Sequence, residues 1–258
     1  MPFIKIIRPL NCLFVAACVA FAAYLNNLEF AFSPVLFAML SAAIIAAGGY
    51  VINDFFDIKI DVVNKPHRIL PSGKMKPEIA YLYAVLLFII GMLFSLLTRQ
   101  ILCVVIAFIN SFVLFFYAKK FKKSLLVGNF LVSYSAASAF LYGGICSENL
   151  SNAIVVAIYA FLYTFLREIA KDGEDIEGDR QYGASTIAIK IGRKKTAGIL
   201  LIPIILLILS TFLFFINNQI NSTSFLLLHL LVNFPLIIFF LLLQKKPEKK
   251  NFAFMAKF

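Results

Sequence analysis

The chain has 258 residues, of which 62% are hydrophobic and 14% are charged, and its formal net charge at pH 7 is +11. Soluble domains carry about half apolar and a quarter charged residues, so this composition excludes disordered, collagen-like and disulfide-scaffold proteins and indicates a membrane protein. Nucleic-acid-binding proteins share the positive charge, but the hydrophobicity indicates membrane lipid as the partner and no nucleic acid.

Long, continuously apolar segments follow one another along the chain. A helix needs about 20 mostly apolar residues to cross the hydrocarbon core of a bilayer. Because the apolar residues are continuous and not alternating, a β-barrel is excluded, and we predict an all-α, polytopic transmembrane helical bundle. The basic N-terminus lacks a cleavage-site pattern, so we expect it to stay as the first of eight spans. The predicted spans are residues 9–25, 34–52, 79–97, 101–117, 125–146, 152–166, 196–216 and 224–243.

Lysine and arginine residues are sorted between the two sides of the predicted bundle. Among all of them, Arg99 alone falls in a loop of the less basic side. The positive-inside rule therefore predicts a multi-pass protein of the cell membrane with both termini on the cytoplasmic side. Most acidic residues lie on that same side. We therefore expect a central cavity that opens to the cytoplasmic face and holds the active site.

Two acidic clusters follow the second and the sixth predicted span with the same spacing. In each cluster three aspartates occupy positions i, i+3 and i+7, which on a helix places them along one stripe. Carboxylate oxygens suit Mg²⁺, which often binds through one or two carboxylates while it shares phosphate oxygens of a substrate. We predict two facing stripes that hold Mg²⁺ and a diphosphate between them; the alternative is two charged helix ends at the membrane surface. The stripes are Asp54, Asp57 and Asp61, and Asp172, Asp175 and Asp179.

Basic side chains near these clusters complete a predicted diphosphate site. A leaving diphosphate gains negative charge as its bond breaks, so Arg, Lys and Mg²⁺ together stabilise it. The prolines of residues 64–73 are expected to keep Arg68 out of a regular helix and to let its segment fold back over the site. For each lysine, a role in setting the membrane orientation is the alternative. The candidate basic residues are Arg68, Lys122, Lys123 and Lys171.

The acidic clusters and a basic loop resemble the UbiA superfamily of intramembrane prenyltransferases. Residues 53–61 match its NDxxDxxxD motif, and Asp175 with Asp179 fits its DxxxD motif. Glu168 stands at the acidic position seven residues before Asp175. Residues 117–123 are similar to the YSxxLKR loop of that superfamily, and Gly-Asn follows at residues 128–129.

This resemblance covers most of the chain and implies a single integral-membrane prenyltransferase domain over residues 1–258. Members of the superfamily usually have nine spans, and residues 251–258 look like the opening of a ninth, so the last helix is expected to be truncated or missing. Residues 8–12, 64–73 and 167–179 are similar to members that make ether lipids. Those members transfer a geranylgeranyl group from its diphosphate to the hydroxyl of geranylgeranylglyceryl phosphate.

The resemblance also implies a role for each candidate residue. A polyprenyl diphosphate is expected to ionise at its allylic C–O bond, and the hydroxyl of a lipid-phosphate acceptor is expected to capture the carbocation. Glu168 or Asp172 is implied to orient or deprotonate that hydroxyl. The implied Mg²⁺ ligands are Asn53, Asp54, Asp57, Asp61, Asp175 and Asp179. The side chains implied to bind the substrates are Asn11, Asn53, Arg68, Tyr117, Lys122, Asn129 and Lys171, with Lys171 at the acceptor phosphate.

Two other functions stay open at this point. An aromatic, quinone-precursor acceptor is the first, although relatives with such acceptors usually carry RTxxRPL after the first motif and this chain does not. An ion-coupled membrane transporter is the second, but transport sites usually lie near the bilayer midplane, whereas these aspartates lie at one face. The sequence determines neither the prenyl chain length nor the oligomeric state.

Overall fold

The structure, a computed structural model, describes residues 1–26, 32–148, 150–181 and 183–257. Every regular element within these ranges is helical, as predicted. The helices in chain order are α1 (Pro2–Ile6), α2 (Pro9–Asn26), α3 (Phe32–Phe56), α4 (Ile58–Asn64), α5 (Pro77–Leu96), α6 (Ile101–Lys119), α7 (Val127–Cys146), α8 (Ser151–Glu174), α9 (Ile176–Gln181), α10 (Ile187–Ile199), α11 (Leu201–Ile216), α12 (Ser222–Leu228), α13 (Phe234–Lys245) and α14 (Lys249–Lys257), with a 3₁₀ turn at Phe121–Lys123 and a π-helical turn at His229–Asn233.

Each predicted span coincides with helical residues. Helix α2 is apolar but shorter than a full span, and α7 is long enough but carries several serines and glycines. The number of spans, eight, therefore stays a prediction, and the transmembrane character of the chain does not depend on it. Within the described ranges, six helical segments are long and apolar enough to cross a membrane: Ser33–Phe56, Pro77–Leu96, Ile101–Lys119, Ser151–Glu174, Ile187–Ile216 and Ser222–Lys245.

Large apolar side chains cover the outer faces of these helices. Leu93 is 55% exposed and Leu231 is 63% exposed, and many other Leu, Ile and Phe residues of the same helices are comparably open. A water-soluble monomer rarely exposes contiguous apolar surface on this scale. The exposed faces are therefore suited to contact with lipid.

The first of two compact units comprises Met1–Phe121 and Ala137–Ala157. Helix α3 lies against α2, α5 and α6, and small residues allow the close approach. A Cβ added at Gly91 would collide with Ile45, and one added at Gly143 would collide with the Val19 carbonyl oxygen. Ser41 donates to the Gly91 carbonyl oxygen at 2.7 Å. Small residues and interhelical hydrogen bonds are the usual means of helix association in membranes.

The second compact unit comprises Lys122–Ala136 and Ile158–Phe258. Its core includes Ile169, Leu200, Leu207 and Leu236, each fully buried. The C-terminal helix α14 adds Phe252 to this core. Helix α14 has nine residues and packs within unit 2. The ninth span suggested for residues 251–258 stays a prediction, and Phe258 lies outside the described residues.

Both acidic clusters differ from the predicted helical stripe at the same position. Helix α3 ends one residue before Asp57, and α8 ends one residue before Asp175, so the middle aspartate of each triplet interrupts the helix. Aspartate side chains compete for backbone hydrogen bonds, and like charges at helical spacing repel each other, which disfavours a regular helix here. Helical backbone bonds flank each break. Asp57 N donates to Asn53 O (3.0 Å) and Asp61 N to Asp57 O (2.8 Å), while Asp175 N donates to Lys171 O (3.0 Å) and Asp179 N to Asp175 O (2.9 Å).

Candidate active site

The first acidic cluster lies at the end of α3 and in α4, within unit 1. Asp54, Asp57 and Asp61 are 6%, 7% and 4% exposed. Carboxylates buried to this extent are costly unless ion pairs or hydrogen bonds compensate them. Their polar neighbours therefore determine what the cluster can bind.

Arg68 joins the two ends of the first cluster. Its Nη1 donates to Asp61 Oδ2 at 2.6 Å and to Asp54 Oδ1 at 3.2 Å. Arg68 lies in the irregular turns between α4 and α5, as its neighbouring prolines predict. Leu70 and Met75, both buried, anchor these turns in the core of unit 1. The structure therefore places Arg68 at the acidic cluster, and its role in binding the substrate stays a prediction.

Arg8 is a second cation at this cluster, and sequence analysis missed it as a site residue. Its Nη2 donates to Asp54 Oδ1 at 2.6 Å, and its guanidinium lies 5.1 Å from the ring centroid of Tyr50, one turn earlier in α3. Arg8 adopts a positive φ of 53° between α1 and α2, which turns the chain into α2. The signal that could have found it is a single arginine directly before the helix start at Pro9.

Asn53 and Asn11 occupy the edges of the same cluster. Asn53 Nδ2 donates to Asp57 Oδ2 at 2.9 Å and so orients the middle carboxylate. Asn11, exposed on the first turn of α2, lies close to the side chain of Tyr50. Unit 1 thus brings together Asn11, Asn53, Asp54, Asp57, Asp61 and Arg68 from the predicted set, together with Arg8.

The second acidic cluster lies in α8 and α9, within unit 2. Helix α8 extends eight residues beyond the predicted sixth span, so Glu168, Lys171 and Asp172 are helical. Asn129, a buried residue of α7, donates from Nδ2 to Asp172 Oδ2 at 2.9 Å. Asp175, at the break, and Asp179, in α9, are half-buried. Asn129 and Asp172 are therefore brought together as two predicted site residues.

The remaining predicted residues lie at the borders of the two clusters. Glu168 Oε1 accepts from Arg167 Nη1 at 2.7 Å, and Lys171 is exposed. Tyr117 is half-buried near the end of α6, and Lys122 is exposed in the 3₁₀ turn that follows. The side chain of Lys123 lies outside the described residues.

The oxygen donors of the first cluster fit a hard divalent cation. Among the described residues, no three His, Cys, Asp or Glu side chains are arranged to hold a metal ion by themselves. Mg²⁺ keeps several waters and is commonly bound through one or two carboxylates plus substrate phosphates, so a protein cage of three ligands is not required. Three buried aspartates beside an amide and two guanidinium groups fit an ion that arrives with its diphosphate.

A family comparison agrees with this chemistry. The sequence model described as the UbiA prenyltransferase family matches residues 13–258. The digeranylgeranylglyceryl phosphate synthase of Sulfolobus acidocaldarius is 40% identical over 196 residues, covering 75% of this chain and 70% of that protein.

Solved structures share the fold. A structure described as giving insights into digeranylgeranylglyceryl phosphate synthase in membranes superimposes with a TM-score of 0.89 at 33% identity, covering 99% of this chain and 91% of that one. A UbiA homolog from Archaeoglobus fulgidus bound to DMAPP and Mg²⁺ superimposes with a TM-score of 0.73 at 13% identity, covering 100% of this chain and 96% of that one. This second similarity concerns the fold alone.

Proposed function

Because this chain belongs to the UbiA prenyltransferase family, and is therefore a membrane prenyltransferase, we propose that it makes an ether lipid. The reaction is Mg²⁺-dependent transfer of a geranylgeranyl group from its diphosphate to the hydroxyl of geranylgeranylglyceryl phosphate. The relative from Sulfolobus acidocaldarius, named for this product, supports the choice of both substrates.

The single observation that carries this proposal is the buried ionic cluster of unit 1. Asp54 and Asp61 are held by Arg68, and Asp54 is also held by Arg8, in a segment whose aspartates are nearly inaccessible. A segment that merely ended at the membrane surface would leave its carboxylates in water. Buried carboxylates paired with guanidinium groups can bind a ligand that contains both a cation and an anion. Mg²⁺–diphosphate is such a ligand.

The arginines and the carboxylates of unit 1 have separate proposed roles. Arg8 and Arg68 neutralise the carboxylates that they contact. Asp54 and Asp61 would hold Mg²⁺, and Arg68 would contact the phosphate oxygens of the diphosphate. Bound with the diphosphate, Mg²⁺ supplies the positive charge that stabilises the leaving group. Arg68, with Lys122 and Tyr117, then stabilises the same charge as the allylic C–O bond breaks and its electron pair leaves with the diphosphate.

The second cluster supplies the acceptor side of the proposed reaction. The acceptor oxygen forms a bond to C1 of the prenyl group, and its proton passes to a carboxylate. Asp172 is the proposed proton acceptor, because Asn129 fixes one of its oxygens at 2.9 Å and leaves the other for a substrate hydroxyl. Lys171 is proposed to contact the acceptor phosphate, and Asp175 and Asp179 are proposed as Mg²⁺ ligands within unit 2. Glu168 has a supporting role, since Arg167 pairs with it.

The proposal extends to the membrane topology. The concentration of lysine and arginine on one side supports a cytoplasmic location for both termini and both acidic clusters, in the cell membrane. The acceptor and the prenyl diphosphate are both amphiphiles, so the lipid-facing helices allow them to enter laterally.

Product analysis tests the proposed function directly. Membranes containing the protein are supplied with geranylgeranyl diphosphate, Mg²⁺ and a panel of acceptors, and products are identified by mass spectrometry. We expect one ether product from geranylgeranylglyceryl phosphate, no product when a chelator removes Mg²⁺, and no product from 4-hydroxybenzoate. A prenylated aromatic product alone would contradict the proposed acceptor, and no Mg²⁺-dependent product from any acceptor would contradict the proposed reaction.

A further inference from the structure

The break in the second acidic segment is held by a residue from a different helix. Arg193, in α10, donates from Nε to the Gly173 carbonyl oxygen at 2.9 Å and from Nη2 to the Glu174 carbonyl oxygen at 3.5 Å. The same Nη2 donates to Glu177 Oε2 at 2.6 Å. One guanidinium therefore contacts the last turn of α8 and the first turn of α9, on both sides of Asp175.

These contacts match the electrostatics of the two helix ends. The last carbonyl groups of a helix lack intrahelical partners and carry partial negative charge, which an arginine satisfies. Glu177 lies in the first turn of α9, where a negative charge is favourable.

The backbone before Arg193 is shaped for this contact. Gly192 has φ 77° and ψ 163°, a conformation available essentially to glycine alone, and it kinks α10 directly before Arg193. Thr196, fully buried, donates from Oγ1 to the Gly192 carbonyl oxygen at 2.9 Å and fixes the kink in unit 2. A Cβ added at Gly192 would meet open space, so this glycine serves the backbone conformation and not close packing.

A second contact closes the other side of the break. A Cβ added at Gly173 would collide with the ring of Phe252, which is fully buried in α14. The end of α8 therefore lies between the Phe252 ring and the Arg193 guanidinium. The Phe252 ring and the Arg193 guanidinium both contact Gly173, which lies between Asp172 and Asp175 in the chain. None of the three Arg193 hydrogen bonds uses an aspartate oxygen.

The two acidic segments are held in different ways. In unit 1, Arg68 contacts the carboxylate oxygens of Asp54 and Asp61 themselves. In unit 2, Arg193 holds backbone carbonyls and Glu177, so it can stay in place while Asp175 and Asp179 bind. We propose that Arg193 is a positioning residue that sets the angle between α8 and α9 and thereby the spacing of the second set of metal-binding carboxylates. This proposal rests on the proposed Mg²⁺–diphosphate site.

Metal binding measured without turnover tests this role. Mn²⁺ replaces Mg²⁺ as a paramagnetic probe, and the free-ion signal is recorded while Mn²⁺ is titrated into protein in lipid nanodiscs with inorganic diphosphate. We compare wild type with Arg193→Ala, Arg193→Lys, Glu177→Gln and Gly192→Ala. Lys194→Ala, an exposed neighbour of Arg193, is the matched control.

We expect Arg193→Ala to weaken Mn²⁺ binding by about tenfold or more, because the carboxylates lose their fixed spacing and outer contacts that orient metal ligands have effects of this size. Arg193→Lys should restore part of that loss, because an ammonium can pair with Glu177 but cannot reproduce the planar fork of contacts. Gly192→Ala should approach Arg193→Ala, and Glu177→Gln, which keeps both carbonyl contacts, should lose less. Lys194→Ala should bind as wild type does. In prenyl-transfer assays of Arg193→Ala, the Mg²⁺ concentration that gives half-maximal rate should rise by a larger factor than kcat falls, both relative to wild type.

Two outcomes overturn the proposal. Arg193→Ala and Gly192→Ala could bind Mn²⁺ with wild-type affinity while unfolding at a lower temperature, which would make the role purely structural. Arg193→Ala and Lys194→Ala could weaken binding equally, which would reduce the effect to general positive charge. Mn²⁺ binding is measured without a prenyl acceptor and does not depend on turnover. If the wild-type protein binds Mn²⁺ but transfers no prenyl group, the proposed reaction is contradicted. The comparison of Mn²⁺ affinities among the variants still decides the role of Arg193.

Discussion

At the residue scale, Asp54 is the acid on which two cations converge. Its Oδ1 accepts from both Arg8 and Arg68, so Asp54→Asn removes the charge that both guanidinium groups contact. We expect a loss of transfer of about a hundredfold or more, typical of removing one electrostatic group from an active site, measured as ether product formed by protein in lipid vesicles. Glu78→Gln, in the exposed first turn of α5, is the control and should keep wild-type turnover. Equal turnover of Asp54→Asn and wild type would contradict the role of this cluster.

Arg8→Lys tests geometry at constant charge. The guanidinium both donates to Asp54 and lies over the Tyr50 ring, and a lysine ammonium does not reproduce that planar pair of contacts. We expect the KM for geranylgeranyl diphosphate to rise about tenfold, equivalent to roughly 1.4 kcal/mol of lost interaction, with a smaller change in kcat. Lys5→Ala, an exposed change on α1, should leave both constants unaltered. A wild-type KM for Arg8→Lys would show that Arg8 contributes charge alone.

At the element scale, the length of each apolar segment predicts the long helices. It does not predict where the helices break within the acidic clusters. The spacing of Asp54, Asp57 and Asp61 is itself helical, so pattern analysis continues the helix through the cluster. The structure ends α3 at Phe56, one residue before Asp57, where the like-charged aspartates disfavour a regular helix. Proline positions, in contrast, correctly predicted the irregular turns that carry Arg68.

Close helix contact in unit 1 predicts unequal effects for two Gly→Ala changes. A Cβ at Gly143 of α7 would collide with the backbone of Val19 in α2, whereas a Cβ at Gly198 of α10 would meet nothing within 4 Å. We expect Gly143→Ala to lower the free energy of unfolding by about 1–3 kcal/mol through overpacking. Gly198→Ala should be neutral or stabilising by about 0.5–1 kcal/mol, since alanine favours helix. Thermal unfolding in detergent micelles measures both, and equal midpoints would refute the close contact.

At the scale of the whole molecule, residue types and their spacing predicted the general class of the protein. They did not predict which side chains from different helices contact each other. Membrane insertion, helical class and the acidic clusters follow from residue types at recurrent spacing. The contacts of Arg8 with Asp54 and of Asn129 with Asp172 join residues 46 and 43 positions apart, and they depend on how particular helices pack. A periodic pattern specifies which face of a helix is buried but not which partner covers it.

The charge asymmetry of the loops predicts the orientation of the whole chain. With the four native cysteines replaced by serine, Lys120→Cys and Arg99→Cys each introduce one exposed thiol. A membrane-impermeant maleimide should label Lys120→Cys from the cytoplasmic side only and Arg99→Cys from the opposite side only, because positively charged loops stay cytoplasmic. Labelling of both positions from one side would exclude the predicted topology.

We propose that the aspartates of each acidic cluster bind Mg²⁺ together with the diphosphate. The most direct measurement is calorimetric titration of geranylgeranyl diphosphate into protein in lipid nanodiscs, with and without Mg²⁺, for wild type, Asp57→Asn and Asp175→Asn. We predict that wild-type binding requires Mg²⁺ and that each substitution weakens it by about tenfold or more, the cost expected for a lost metal contact. Binding that is unchanged by Asp57→Asn or by Asp175→Asn would contradict a metal-binding role for the cluster to which that aspartate belongs.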